Sequence, residues 1–302
     1  MNLLEALFCF LAVFMFLPGL LLNYGHFLFP ETILRLFRYG RANISNGNQS
    51  SSVLKTVEVP KRWFSHFYSY AVMLQFLVGI SVMRLYFFGA KNSWLITTLD
   101  IIGSRNVSVS TTTTMIAVDL FLFHLCRRLY ETLYVSIYSN TKMNILHYIL
   151  GYIHYTGAIF SIVAHSPSLT AKLPEKIETT ASDIGVVEIC GIATFVIGNY
   201  LQHRAHVGLA NLRKGKDKNE SSGHKIPRGE LFEYVSSPNY FAEILIYVAL
   251  AGLFGFKNSS WNYCTMWVIS NQVIAGIMNH LWYLKTFKDY PKQRKAIIPY
   301  VW

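Results

Sequence analysis

The sequence is short of charged residues, which make up 14% of its 302 positions. A soluble globular chain carries about 25%. The 52% hydrophobic and 15% aromatic content excludes a disordered chain, because disorder requires low hydrophobicity and few aromatic residues. The four cysteines stand singly within apolar runs, so neither a disulfide framework nor a zinc ribbon is indicated. The composition indicates an integral membrane protein.

Long apolar runs account for much of the chain. A helix needs about 20 mostly apolar residues to cross the hydrocarbon core of a bilayer. The first run lacks the basic residues that begin a signal peptide, so it is interpreted as a span. The expected fold is all-α: one membrane domain over residues 1–302, a bundle of seven transmembrane helices, and a helical C-terminal tail. The predicted spans cover residues 3–22, 64–88, 111–137, 145–164, 184–201, 241–256 and 261–283.

Basic residues are unequally divided between the two ends of these spans. Most lie in the 23–63 loop, the 138–144 turn, the 202–240 loop and the tail after residue 283. The opposite ends carry Lys91, Arg105, Lys172, Lys176 and Lys257. Because cytosolic segments are enriched in lysine and arginine, the first set of segments and the C-terminus are predicted to be cytosolic. The net charge of +11 is then a topology signal, and no nucleic-acid binding is expected.

The third predicted span contains four ionisable side chains, which are costly inside a membrane and usually functional. His124, Arg127, Arg128 and Glu131 lie on or beside one helical face. One interpretation is a structural ion pair between Arg128 and Glu131. The other is an anion site in which two guanidinium groups bind phosphate and the carboxylate orients one of them. The second arginine favours the anion site.

A second anion site is indicated before the sixth predicted span. Lys225 and Arg228 stand beside a Pro-x-Gly turn, and residues Ser236–Asn239 can cap the next helix. A helix N-terminus with an arginine nearby suits a phosphate group. The alternative is an amphipathic interfacial loop followed by a capped helix. That alternative explains the apolar residues but not Glu243, which falls one turn inside the span.

The seventh predicted span carries His280 and Tyr283 close to one polar helical face. A histidine with a tyrosine one turn away is a plausible acid or a donor to a carbonyl oxygen. Asn199, Gln202, His203 and His206 at the end of the fifth span follow helical spacing, so this helix is expected to continue past the membrane with one polar face. His203 and His206 could form a metal pair, but the sequence offers no further ligands beside them. No metal site is expected.

Two long C-terminal motifs resemble the steroid 5α-reductase family. The first runs from Ile226-Pro-Arg-Gly through Glu233-Tyr-Val-Ser-Ser-Pro-Asn-Tyr-Phe-Ala-Glu243, and the second runs from Tyr283 to Pro299. The Arg127–Ser136 segment and the Val59–Phe64 start of the second span resemble the polyprenol (polyprenal) reductase branch. The resemblance covers most of the chain from Val59 onward.

The resemblance implies a seven-helix endoplasmic-reticulum enzyme that uses NADPH to reduce a carbon–carbon double bond, with dolichol as the product in this branch. The 202–240 loop would bind the cofactor on the cytosolic side. By motif position, the NADPH site would be lined by Arg213, Lys225, Tyr234, Asn239, Glu243 and Tyr283. Arginines suited to neutralising its phosphates are Arg127, Arg128, Arg213 and Arg228. His280 matches the histidine that this branch needs for activity.

The chain departs from the steroid branch of the family at two positions. A catalytic glutamate in the second span and a tyrosine in the third are replaced here by Phe67 and Leu125. His66 and His124 lie beside them in the sequence. These departures argue against a steroid as the main substrate.

Hydride addition to an alkene requires a conjugated electron sink. An allylic alcohol has none, whereas an α,β-unsaturated aldehyde accepts hydride at Cβ and carries the charge on its enolate oxygen. The expected direct substrate is therefore polyprenal, a long-chain isoprenoid lipid that enters from the bilayer. The enzyme is expected to be monomeric. Candidates to stabilise the enolate are His280, Tyr283, His66 and His124.

Three alternatives stay open at this point. Another reductase of the same family would act on a 3-oxo-4-ene steroid or an enoyl-CoA. An isoprenylcysteine or phospholipid methyltransferase would carry Arg-His-Pro where this chain has Ser236-Ser-Pro. A seven-span receptor would carry Asp-Arg-Tyr after the third span and Asn-Pro-x-x-Tyr in the seventh, and this sequence has neither.

Overall fold

The architecture was obtained as a computed structural model, which describes residues 1–24, 58–90, 93–104, 106–138, 142–167, 169, 184–214 and 224–301. These residues form eight α-helices and two short strands. The helices are α1 Leu3–Tyr24, α2 Phe64–Phe88, α3 Ser93–Ile102, α4 Thr111–Tyr130, α5 Ile145–Val163, α6 Val186–Asn211, α7 Pro238–Leu253 and α8 Ser259–Thr286. The strands are β1 Glu58–Pro60 and β2 Lys142–Asn144.

Seven of the eight helices coincide with the predicted spans. The short helix α3 was not predicted, because it does not lie in a long apolar run. Residues Lys61–Phe88 and Ile145–Val163 are long and apolar enough to cross a membrane. Leu3–Leu17 and Pro238–Leu253 are shorter apolar helices. The molecule is thus a mainly α-helical protein, consistent with a membrane protein, and seven crossings remain a prediction.

The outward faces of several helices carry bulky apolar side chains. On α2, the inward positions Ala71, Val78 and Val82 are buried. Exposed apolar side chains of this size over a whole helix face are unusual in a soluble monomer, and they suit contact with lipid. The outward positions of α2, each 39–67% exposed, are Met73, Phe76, Leu77, Ile80 and Met83.

Two helix ends differ from the predicted spans in ways that matter for the site. The α-helical part of α4 ends at Tyr130, and a π-helical turn follows over Glu131–Val135. Such turns are frequent at functional sites. α6 continues to Asn211, ten residues past the predicted end of the fifth span. The polar spacing beyond residue 201 indicates this continuation, and it makes the first part of the 202–240 loop helical.

The predicted helical tail is wrong. Residues 287–301 form turns, and Lys295 makes a parallel bridge with Val235. Pro291 and Pro299 cannot donate the amide hydrogen bonds of a helix. The tail instead folds back on the bundle and buries Tyr290, Arg294 and Ile297.

Helix packing brings the polar segments together. α6 and α7 form the most extensive helix pair, followed by α1 with α8 and α2 with α4. Gly191 lets α6 approach the α7 backbone, because a Cβ atom there would lie 2.9 Å from the Leu253 nitrogen and 3.0 Å from the Ala249 oxygen. β1 and β2 pair antiparallel with Val59 opposite Met143, so α2 and α5 begin at the same end of the bundle.

Candidate active site

The end of α4 forms a buried ionic centre. Glu131 is fully buried, and each of its carboxylate oxygens accepts a hydrogen bond from one guanidinium, that of Arg127 or Arg128. The i,i+3 and i,i+4 spacings place both arginines over the same carboxylate. One carboxylate therefore pairs with two guanidinium groups at the end of α4.

α6 completes this centre from the opposite side. The Oδ1 atom of Asn199 accepts a 2.9 Å hydrogen bond from Arg127 Nε, and Gln202 accepts from the same guanidinium. His203 Nδ1 lies 2.9 Å from Glu131 Oε1. The polar face that the sequence analysis assigned to the continuing fifth helix therefore packs against the arginines of the third.

α7 and α2 contribute one further residue each. Glu243 accepts a hydrogen bond from Gln202 Nε2, which joins the two predicted anion-site segments into one network. The Tyr68 hydroxyl accepts hydrogen bonds from Arg128 Nη2 at 3.0 Å and Nε at 3.2 Å. Four helices thus converge on the two guanidinium groups.

His124 lies one turn before Arg127 and is fully buried. Its Nδ1 atom is 3.0 Å from Asn199 Oδ1 and 3.3 Å from Arg127 Nη2. Its Nε2 atom has no hydrogen-bond partner among the described residues. A buried nitrogen without a partner costs free energy, so this atom marks a place where a ligand group would be stabilised.

A second group surrounds His280, near the C-terminal end of α8. The Ser236 hydroxyl lies 2.6 Å from His280 Nδ1 and 2.6 Å from the Tyr290 hydroxyl. Tyr283 stacks parallel on Tyr290 with ring centroids 5.1 Å apart. Ser236 precedes α7, where the sequence analysis assigned it a capping role, and its side chain contacts α8 and the tail instead. The fold therefore fixes His280 and Tyr283 through the tail.

His66 lies in a third place, on an exposed turn of α2. It stacks on Trp63 at 5.3 Å, and its Nδ1 atom is 3.2 Å from the Tyr148 hydroxyl. It lines an open pocket of about 340 Å³ with Arg62 and the residues that follow Glu131, among them Tyr138. This pocket lies beside the ionic centre, because Thr132, which follows Glu131, is among its lining residues.

The cofactor-site candidates that the sequence analysis assigned to the 202–240 loop lie at several separate places. Arg213 is exposed and donates to the Ile137 carbonyl at 2.6 Å. Arg228 lies 3.7 Å from Glu233, Lys225 is exposed, and Asn239 lies in the first turn of α7. Tyr234 stacks on Tyr300 of the tail with centroids 5.3 Å apart.

Glu233 ties the loop to the tail. Its carboxylate accepts the Gly229 amide at 2.6 Å and Arg294 Nη2 at 3.1 Å. The Gly229 hydrogen bond, followed by Arg294 and Arg228, holds the pKa of Glu233 below its ordinary value of 4.5. Arg294 is buried and also donates to the Pro227 carbonyl. These contacts of Glu233 and Arg294, called the tail latch below, hold the segment that carries Ser236 against the tail.

Sequence reasoning did not name Tyr68, Ser236 or Tyr290 as site residues, and it noted Asn199 and Gln202 without a role. For Asn199 and Gln202 the helical spacing with His203 was a usable signal. The three hydroxyls gave none, because Tyr68 lies 60 positions from Arg128, and Ser236 lies 54 positions from Tyr290. Such contacts follow from tertiary packing.

The fold and the site define a mainly α-helical protein whose helices meet at a buried network of two arginines and two glutamates. The sequence pattern described as 3-oxo-5-alpha-steroid 4-dehydrogenase matches residues 178–302. A Drosophila melanogaster protein named polyprenal reductase is 33% identical over 99% of this chain and 93% of its own length. Proteins of the same name from Caenorhabditis elegans and Homo sapiens are 34% and 33% identical, each over 88% of this chain and 86% and 85% of theirs.

The chain belongs to the steroid 5α-reductase family, in its polyprenal reductase branch. The resemblance seen in the motifs is thereby confirmed. Membership makes the chain an oxidoreductase that acts on a CH–CH bond, and such an enzyme is consistent with a nicotinamide cofactor and an isoprenoid lipid substrate.

Proposed function

We propose that this protein uses NADPH to reduce the α-isoprene double bond of polyprenal, giving dolichal and, after reduction of the aldehyde elsewhere, dolichol for N-glycosylation. The observation that carries the proposal is the buried network of Arg127, Arg128, Glu131 and Glu243, in a chain whose relatives are named polyprenal reductase. The alternative is reduction of another conjugated substrate, a 3-oxo-4-ene steroid or an enoyl-CoA.

The residues of the centre fit the chemistry of a dinucleotide. Guanidinium groups bind phosphate through charge-assisted hydrogen bonds, and the partnerless Nε2 atom of buried His124 suits a polar group such as a carboxamide. Residues proposed to hold the cofactor are Arg127, Arg128, Arg213, Lys225, Arg228, Tyr234, Asn239 and Glu243. When bound, NADPH supplies the hydride.

The chain's own residues stabilise charge and exclude water. His280 and Tyr283 are proposed as catalytic groups, because Ser236 and Tyr290 fix their side chains. Donors held in place before the reaction stabilise developing charge more than water does. His124, His66 and Glu131 are proposed as supporting catalytic groups, with Glu131 keeping both arginines in position.

The setting of the enzyme is proposed as the endoplasmic-reticulum membrane. The basic flanks at residues 202–240 and in the tail favour a cytosolic C-terminus. The apolar exterior of α2 suits a substrate that arrives sideways from the bilayer. A monomer is proposed.

The test is a substrate panel with purified protein and NADPH: polyprenal, polyprenol, a 3-oxo-4-ene steroid and an enoyl-CoA. We expect NADPH oxidation with polyprenal and none with polyprenol. Reduction of polyprenol but not polyprenal would overturn the proposed substrate. Stabilisation by S-adenosylmethionine and not by NADPH would indicate a methyltransferase instead.

A further inference from the structure

A buried hydrogen-bonded chain outside the assigned residues joins three helices. The indole Nε1–H of Trp267 on α8 donates to His154 Nδ1 on α5 at 3.2 Å. The Nε2 atom of His154 lies 2.9 Å from the Tyr247 hydroxyl on α7. Tyr247 is fully buried and Trp267 nearly so. None of these three residues has a role in the ionic centre or the His280 group.

The direction of these hydrogen bonds follows from chemistry. An indole nitrogen can only donate, so His154 Nδ1 is the acceptor and carries no proton. Neutral imidazole then carries its proton on Nε2 and donates it to Tyr247. The phenol oxygen therefore accepts from His154, and its own proton points elsewhere. Within the described part of the chain, that proton has no hydrogen-bond acceptor.

Tyr247 adjoins the ionic centre. It lies one helical turn after Glu243 on α7, and its ring packs edge-on against Phe121 at 6.2 Å. Phe121 in turn stacks on His124 at 5.8 Å. Two buried residues with an incomplete set of hydrogen-bond partners, Tyr247 and His124, thus contact the same aromatic ring. Buried polar groups are nearly always satisfied, so this pair indicates where polar ligand atoms would be stabilised.

We propose that Tyr247 is the acid that supplies the proton at Cα of the substrate, and that His154 and Trp267 are positioning residues that aim it. The proposal rests on the proposed function, since it assigns the proton donor of that reaction. A donor that is itself hydrogen-bonded through its oxygen is a better acid, because the bond from His154 stabilises the phenolate that forms.

The step balances as a conjugate addition. Hydride from NADPH forms the C–H bond at Cβ, and the alkene electrons move to the enolate. The enolate then takes the Tyr247 proton at Cα, which restores the aldehyde and leaves a phenolate that accepts the Nε2–H bond of His154. Water returns one proton to the phenolate before the next cycle. The sum is one hydride and one proton added across the double bond.

The first test compares Tyr247→Phe with Tyr86→Phe. Tyr86 is a buried tyrosine at the other end of the bundle, whose hydroxyl is hydrogen-bonded to the Pro167 carbonyl and to the side chains of Thr114 and Ser166. We expect Tyr247→Phe to lower kcat by about 10²–10⁴-fold, with NADPH affinity and melting temperature near those of Tyr86→Phe. A kcat within about threefold of the control would overturn the proposal.

The second test needs no turnover. In protein labelled with ¹⁵N-histidine, His154 should show an unprotonated Nδ1 and a protonated Nε2, assigned by the signal lost in His154→Gln. Trp267→Phe removes the donor that fixes this tautomer, so we expect a mixture of tautomers and a lower kcat at unchanged KM. A protonated Nδ1 in the wild type would contradict the proposed direction of the chain.

The activity comparison uses whichever panel substrate the wild type reduces. A wild type that reduces enoyl-CoA but not polyprenal would refute the proposed substrate, while Tyr247→Phe would still test the proton donor on enoyl-CoA. The two failures are therefore distinguishable.

Discussion

Glu131 balances the charge of the site at the scale of a single residue. Its carboxylate is fully buried between two guanidinium groups whose side chains are only 11% and 13% exposed. Glu131→Gln would leave both arginines buried without their counter-ion, which costs about 3–5 kcal/mol in comparable pairs. We expect a marked fall in the free energy of unfolding, measured by denaturant titration in detergent.

The matched control for that variant is Glu230→Gln. Glu230 also pairs with an arginine, Arg204, but both side chains are about half exposed, at 47% and 50%. Surface pairs contribute little to stability, so this variant should unfold like the wild type. Equal destabilisation by the two variants would contradict the buried character of the Glu131 centre.

His280 provides the second prediction at this scale. Its Nδ1 atom is held by Ser236, so His280→Ala removes a positioned donor and should lower kcat by about 10²–10⁴-fold. His224→Ala is the control, because that histidine is exposed and packs against neighbouring Trp282 at 5.0 Å. Loss of activity in both variants, or in neither, would remove His280 from the proposed mechanism.

Some contacts between individual site residues could be predicted from the sequence. The i,i+3 and i,i+4 spacing of Arg127, Arg128 and Glu131 predicts their clustering, and the structure has it. The link from Gln202 to Glu243 could not be predicted, because it depends on which faces of α6 and α7 meet. The hydroxyl of Ser236 was assigned to a helix cap for the same reason.

At the scale of elements, the contact between α6 and α7 sets the geometry of the site. Gly191→Ala would force a Cβ atom against the α7 backbone, and overpacking of this kind costs about 1–3 kcal/mol. We expect lower thermal stability and weaker NADPH binding, since Gln202 on α6 must reach Glu243 on α7.

Gly252→Ala on α7 serves as the control for the helix contact. A Cβ atom there would meet no described atom within 4 Å, so the variant should keep or gain stability through the helix preference of alanine, by up to about 1 kcal/mol. If Gly191→Ala behaved like Gly252→Ala, the close approach of the two helices would be wrong.

The tail latch gives a pH dependence. The folded pKa of Glu233 lies below its ordinary value of 4.5, so the carboxylate stabilises the latch above about that pH. This stabilisation is lost as the pH falls through the lowered folded value. We expect the Lys295 amide, which donates to the Tyr234 carbonyl, to exchange faster in acid after correction for intrinsic rates.

In Glu233→Gln, the Lys295 amide should exchange rapidly at neutral pH as well, and its exchange should no longer depend on the protonation of residue 233. If the corrected exchange rate of this amide in the wild type did not change between neutral and acidic pH, the carboxylate would not hold the tail. The same contacts explain why the conformation of the tail was not predicted. The Lys295 amide donates to the Tyr234 carbonyl and the Ser236 amide donates to the Lys295 carbonyl, and this pairing is not encoded in the local sequence.

At the scale of the whole molecule, the described loops gather at two ends. One end holds Ser108, His165 and Lys257, linked by the hydrogen bond from Ser108 to the Lys257 carbonyl. The other end holds the ionic centre, the 224–237 segment and the tail. The apolar runs predicted seven of the helices because a span must be long and apolar. The short α3 was not predicted because it lacks such a run.

The charge asymmetry between these ends predicts the orientation. With single cysteines at the exposed positions Lys292 and Asn106, a membrane-impermeant thiol reagent added to sealed vesicles with the cytosolic face outward should label Lys292→Cys alone. Labelling of Asn106→Cys instead would invert the topology.

The most direct measurement of the central claim follows the hydride itself. NADPH carrying deuterium at the transferable position is given to the wild-type enzyme with polyprenal, and the product is analysed by mass spectrometry and NMR. The account predicts dolichal with deuterium at Cβ. Deuterium on the aldehyde carbon, which would mean carbonyl reduction to polyprenol, or no transfer of the label, would contradict it.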